Sequence, residues 1–212
     1  MTQPDLTAAL ALNGPDATLK LYRDWAATYD TTFATDMQYN LPAHVARAFR
    51  AAGGTGPVLD IGAGTGLLAQ SLRDMGLTDP IDGLDFSTGM LERAAAKYLY
   101  RTLIHADVTQ TLPLSRQYNG ITSSGTFTSG HVGPEAFAPI LAVALPGALF
   151  ALSINQRVWT ENGFDAALAS LQHENRIHDL RLIEVAVYGT AAAAIDPGPA
   201  DDRAWITLFR AT

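Results

Sequence analysis

The sequence predicts an α/β fold in which a mostly parallel sheet carries helices on both faces. Three observations point there. After residue 55, short apolar runs alternate with helical patterns, which is the signature of successive βα units. The last two strand-like runs follow one another with no helix between them, which calls for an antiparallel pair. The composition, 48% hydrophobic and 17% charged over 212 residues, is that of a globular chain with enough apolar surface for a substantial core.

The elements follow in order. Val58–Ile61 is a short strand. Leu67, Leu68, Leu72 and Met75 then repeat at helical spacing, and Gly76 supplies a stop. Residues 81–86 form a second strand, and Ser87 N-caps a helix with Met90, Leu91, Ala94 and Tyr98 on one face. Residues 101–106 and 119–123 are the third and fourth strands. Pro134 suits a helix start, whereas Pro139 inside that helix forces a kink or a late start. Residues 148–154 are a fifth strand, and Thr160 caps a helix carrying Phe164, Ala167, Leu168 and Leu171. Leu180, Leu182, Val185 and Val187 mostly keep period two, as do residues 205–210 in part. Between them, Asp196-Pro197-Gly198-Pro199 marks a loop over 191–202. Upstream, Leu19, Tyr22, Ala26 and Tyr29 fall at helical spacing, and Pro42 opens a helix with Val45 and Phe49. The expected organisation is a helical cap, residues 1–52, packed on a core of residues 53–212.

Several classes are excluded or disfavoured. The chain has no cysteine, so it has no disulfide framework, cysteine-ligated metal or thiolate nucleophile. His173 and His178 are five apart, off a single helical face, and predict no metal pair. A net charge of −7 without a basic stripe argues against nucleic acid and anionic membranes as partners. Residues 1–16 lack the basic start and long apolar core of a signal sequence. The uncharged stretch 136–156 is broken by Pro139 and Pro146-Gly147, and reads as a buried helix, a turn and a buried strand. The expectation is a cytoplasmic protein with no membrane span.

The chemistry is concentrated in Asp60-Ile61-Gly62-Ala63-Gly64-Thr65-Gly66, between a strand and a helix. Glycines there allow a tight turn and let a ligand lie against bare backbone. Leu67 breaks the Gly-x-Gly-x-x-Gly spacing of a dinucleotide site, and no Gly-Lys-Ser/Thr follows as in a P-loop. Asp60 at the strand end would repel a pyrophosphate. The loop therefore suits an adenosine ligand that carries an amine and no phosphate. Asp85 ends the second strand, where a carboxylate accepts both ribose hydroxyls. Asp107 follows the third, placed to accept an adenine amino group, with the Val108 amide beside it for a ring nitrogen. All three acids fall at the carboxyl ends of adjacent strands, where open α/β sheets bind ligands.

On these residues the sequence resembles the class I S-adenosylmethionine-dependent methyltransferases. The matching pieces are residues 58–66, Gly83-Leu84-Asp85-Phe86-Ser87 with Met90-Leu91, and Ala106-Asp107-Val108. Residues 118–135, 22–30 and 158–164 are similar to the methyltransferase-like subgroup named for the Williams–Beuren chromosomal region. The resemblance implies a Rossmann-like sheet of seven strands with the last strand inserted antiparallel. It also implies S-adenosyl-L-methionine as cofactor, S-adenosyl-L-homocysteine as its product, and a set of residue roles. Asp60 with the Gly62–Gly66 loop, including Ala63 and Gly64, would hold the methionine part. Asp85 would hold the ribose, with Phe86 and Met90 against the adenine, whose edge Asp107 and Val108 would read. The Ser123 backbone would meet the amino-acid group, and Ser124-Gly125 would border the transfer channel. Trp25 and Tyr29 would lid the site, although the same aromatics also read as the apolar face of a cap helix.

His131, in a glycine-rich stretch after the fourth strand, is the candidate base. The reading favoured over that role is a residue that hydrogen-bonds its own loop. Ser123-Ser124-Gly125-Thr126 is not the Asn/Asp-Pro-Pro-aromatic loop that amino-directed nucleic-acid methyltransferases resemble. The expected function is in-line methyl transfer to a small-molecule acceptor, with a protein or peptide side chain second. A cofactor-binding protein without catalysis and an NAD-dependent oxidoreductase are the alternatives.

Overall fold

The computed structural model describes residues 38–115, 117–189 and 201–212. Seven strands form one sheet: β1 (Val58–Ile61), β2 (Ile81–Asp85), β3 (Thr102–His105), β4 (Tyr118–Phe127), β5 (Ala144–Asn155), β6 (Ile177–Ala186) and β7 (Arg203–Ala211). Their order is β3-β2-β1-β4-β5-β7-β6. The first five are parallel, and β7 lies between β5 and β6, antiparallel to both. The predicted closing pair is thus present, and the last strand is inserted as expected.

Helices cover both faces. On one, α1 (Leu41–Ala51) and α2 (Leu67–Asp74) bury Val45, Phe49, Leu68 and Leu72 against Val58, Ile81 and Ile206. On the other, α4 (Phe137–Val143) and α6 (Phe164–His173) pack on Leu59, Ile121, Phe150 and Phe209. There Phe164 meets Phe127 and Phe137 edge-on at 5.8 and 5.9 Å between centroids, and Phe150 stacks on Phe209 at 4.6 Å. Each such pair adds about 0.5–1.5 kcal/mol beyond its buried area. Two shorter helices, α3 (Thr88–Ala95) and α5 (Gln156–Trp159), follow β2 and β5. No described helix is long and apolar enough to cross a membrane.

Most predicted elements appear, with four local departures. Helix α3 does start at Ser87, whose hydroxyl accepts from the Met90 amide, but it ends at Ala95. Tyr98 takes a left-handed φ of 54° and is 93% exposed, so it leaves the buried face expected for it. Thr160 caps nothing at its N-side. Asn155 caps α5 by accepting from the Arg157 amide at 2.9 Å, and α6 begins after Gly163 at φ 76°. Pro146-Gly147 is not a turn between helix and strand but an irregularity inside β5, which starts directly after α4. Strand β4 runs on to Phe127 because Gly125, at φ 80°, accommodates a bulge. Pro139 is tolerated by the late start: Pro134–Ala136 is a 3₁₀ turn, and α4 begins at Phe137. Of the expected cap, residues 1–37 lie outside the described residues. Most of the loop expected over 191–202 does too.

Candidate functional site

Strand order reverses between β1 and β4. The chains leaving neighbouring strands must diverge there, and they open a crevice at the carboxyl edge of the sheet. It is a cleft of about 390 Å³. Its floor is the β1–α2 loop, in which Gly62, Gly64 and Gly66 all have left-handed φ (65°, 53° and 91°). Gly62 has no room for a side chain. A Cβ there would overlap the Thr126 hydroxyl and stand 3.1 Å from the Thr126 Cβ. That hydroxyl donates to the Ile61 carbonyl at 3.1 Å and lies 2.9 Å from the Ser123 hydroxyl oxygen, which pins the end of β4 to the end of β1.

Asp85 organises one wall. Its Oδ2 accepts from the Gly64 amide and its Oδ1 from the Ser87 amide, both at 2.8 Å. One carboxylate therefore ties the glycine loop to the start of α3 while still lining the cleft. Each oxygen keeps a further lone pair for an incoming hydroxyl. Burial raises the Asp85 pKa, against the pull of the amide bonds from Ser87 and Gly64. Asp107 is half-buried, and its Oδ1 accepts from the Thr109 amide at 2.9 Å and the Thr109 hydroxyl at 2.7 Å. Phe86 presents a ring that is 44% exposed, stacked on His105 at 6.2 Å. His105 Nε2 lies 2.9 Å from the Phe86 carbonyl. Met90 and Val108 add apolar surface.

The cleft thus gathers Gly62, Ala63 and Gly64 with Asp85, Phe86 and Met90, and Asp107 and Val108 with Ser124 and His131. Two residues of the expected set sit behind its wall. Asp60 is fully buried and accepts the Tyr100 hydroxyl on Oδ2 at 2.7 Å. Ser123 is also fully buried, with its hydroxyl donating to the Ile61 carbonyl at 2.8 Å. Trp25 and Tyr29 lie outside the described residues. Sequence reasoning gave no role to Tyr39, Thr126 or Tyr100. Tyr39 and Thr126 line the cleft, and Tyr100 holds Asp60 from 40 positions away, a relation no local pattern carries.

Electrostatics separate two buried groups. Burial pushes the Asp60 carboxyl up to about 7, with the Tyr100 bond pulling it down and the Asp85 charge adding to the rise. Burial pushes His131 down to about 4. An unfolded histidine titrates near 6.5. Between about pH 6.5 and 4 the unfolded chain therefore binds a proton at His131 that the folded chain does not, and stability falls with pH. At about 1.36 kcal/mol per pKa unit the loss approaches ~3 kcal/mol. Asp60 has the opposite sign and loses stability as pH rises through the same window. Urea unfolding from about pH 4.5 to 7 should show His131→Asn losing less stability on acidification than the parent. Parallel curves would refute the burial of His131.

Residues that fit a phosphate-free cationic nucleoside are all here: bare glycine backbone, two carboxylates on the wall and an aromatic face. Among the described residues no lysine or arginine lines the cleft to hold a phosphate. Residues 58–147 match the sequence profile of a methyltransferase domain family. Human methyltransferase-like protein 27 is 35% identical over 147 residues, spanning 66% of this chain and 59% of that protein. The chain thus spans about three fifths of that relative. A Methanococcus maripaludis protein described as an S-adenosyl-L-methionine-dependent methyltransferase has the same fold (TM-score 0.61, 20% identical, 91% of this chain and 93% of that one). So does Haemonchus contortus phosphoethanolamine N-methyltransferase 2, solved with phosphomonomethylethanolamine and S-adenosylhomocysteine (TM-score 0.58, 14% identical, 90% of this chain and 60% of that one).

Proposed function

We propose that this chain, whose residues 58–147 match a methyltransferase domain profile, is a class I S-adenosylmethionine-dependent methyltransferase that transfers the cofactor's methyl group to a small-molecule acceptor by in-line displacement. The observation that carries this reading is Asp85. It grips the Gly64 amide at 2.8 Å while facing a cleft shared with Asp107, Phe86 and His131. Bound there, the cofactor supplies an electrophilic methyl on a positive sulfur. The chain's own work is to seat and align.

Asp85 takes the ribose hydroxyls, with Phe86 and Met90 against the base. Asp107 and the Val108 amide read the base's edge, and the Gly62–Gly66 backbone lies under the amino-acid arm. The Ser123 backbone and Ser124 close that side. Alignment of an acceptor in such a pocket is worth several kcal/mol of barrier. A cleft of about 390 Å³ suits small ligands. His131 is uncharged above about pH 4, so it can accept a proton from a hydroxyl or amine acceptor. A base held that low adds little driving force, which leaves positioning as the main source of rate.

The test is calorimetric titration with S-adenosylhomocysteine, followed by incubation of labelled S-adenosylmethionine with pooled small amines, alcohols and acids. We expect micromolar binding and label transfer to at least one pool. No binding at millimolar ligand would overturn the reading. Binding with transfer to no acceptor would favour a cofactor-sensing protein instead.

A further inference from the structure

Behind the cleft, Asp60 is a charged-type side chain with no exposure and one oxygen that has no hydrogen-bond partner among the described residues. Its register partner on β4, Thr122, is equally buried and has the same deficit at Oγ1. Paired positions of parallel strands share a face, so both lie on the α2 side of the sheet. A buried carboxylate left half-satisfied costs several kcal/mol unless something holds it.

What holds it is Tyr100. The ring fills space left by two glycines: a Cβ on Gly83 of β2 would stand 2.8 Å from Tyr100 Cε1, and one on Gly66 of the loop 3.2 Å from Cε2. The hydroxyl donates to Asp60 Oδ2 at 2.7 Å. One side chain therefore touches the glycine loop, the second strand and the buried acid.

We propose that Tyr100 is a positioning residue for the cofactor site: it sets the height of the Gly62–Gly66 loop and keeps Asp60 as a carboxylate beneath it, so that a cationic ligand above the loop meets a negative charge. This rests on the functional reading above and extends it to a residue outside the cleft. The ionisable neighbours are few. Asp85 faces Asp60 from β2 and opposes its ionisation. From β4 comes only the neutral Thr122. On α2, Arg73 is occupied by the carbonyls of Leu77, Asp79 and Leu99, while Gln70 bonds Asp74 at the surface. Lys97 approaches Gly66, its Cδ 3.8 Å from where a Cβ would stand. Tyr100 is thus the neighbour that favours the charged form of Asp60 by direct contact, consistent with the directions for both groups.

S-adenosylhomocysteine, whose amine is cationic, is the probe. Titrate it calorimetrically into parent, Tyr100→Phe and Asp60→Asn from about pH 6 to 8.5. In the parent, affinity should fall as pH drops through the Asp60 range. Tyr100→Phe keeps the ring and loses the hydroxyl, so its curve should shift to higher pH, with binding about tenfold weaker near pH 7 and convergence at the alkaline end. Asp60→Asn, which still accepts the Tyr100 hydroxyl, should give a curve much flatter than the parent's. A Tyr100→Phe deficit equal at every pH, or none, overturns the proposal, because a merely structural tyrosine shifts no midpoint. If Tyr100→Phe does not fold, an Asp60→Asn curve as steep as the parent's overturns it. A parent that binds no ligand at any pH overturns the functional reading and this inference together. A parent that binds, with variants parallel to it, overturns this inference alone.

Discussion

Asp85→Ala should lose S-adenosylhomocysteine binding by at least ~100-fold, which is about 2.7 kcal/mol or two charge-assisted hydrogen bonds. Two effects act in the same direction. The ribose hydroxyls would lose the acceptor proposed for them, and the Gly64 and Ser87 amides, each 2.8 Å from the carboxylate, lose theirs. The glycine loop is then no longer tied to α3, so the floor under the cofactor loses definition as well. Asp85→Asn keeps one acceptor oxygen and should fall between the alanine variant and the parent. Calorimetry decides. An alanine variant that binds like the parent would show that the ribose lies elsewhere.

Gly62→Ala should be strongly destabilising. At φ 65° an alanine pays about 1–2 kcal/mol in backbone strain. Its Cβ would also run into Thr126, whose hydroxyl joins the ends of β1 and β4. Overpacking of this kind typically costs a further 1–3 kcal/mol. We expect a total near 3 kcal/mol by urea unfolding, with ligand binding lost because the loop must lift. Gly62→Ala combined with Thr126→Ala frees the space but not the backbone. The pair should therefore recover the steric part and retain the strain. Strict additivity of the two substitutions would show that they do not touch.

Much of this fold was legible because the chain states its periods openly. The run at 58–61, the Leu67–Leu68–Leu72 stripe and Ser87 before Met90 each report a local preference that the tertiary structure keeps. The cleft was legible for a related reason. Residues at the carboxyl ends of neighbouring parallel strands come together whatever the details, so Asp85 and Asp107 had to share a crevice with the glycine loop. What local pattern could not show was direction. Asp60 precedes the loop in sequence but turns beneath it, because its side chain lies on the α2 face. Its partner, Tyr100, comes from the approach to another strand. Tyr98 looked like a helix residue, and a left-handed φ put it in solvent. Thr160 was a plausible cap for α6, but it closes the C-terminal end of α5, and α6 starts after Gly163.

Of the seven described strands, the one inserted between two others comes last in the sequence. β7 occupies a slot whose two walls, β5 and β6, precede it in sequence. During synthesis both walls exist before their common partner leaves the ribosome. Until Arg203–Ala211 emerges, β5 is a bare border and β6 has no neighbour. Such unpaired borders are what chaperones shield and what aggregates recruit. Assembly of this core should therefore finish in one late stitch, and a ribosome stalled before that segment would display β5 as an open border with β6 unattached beside it.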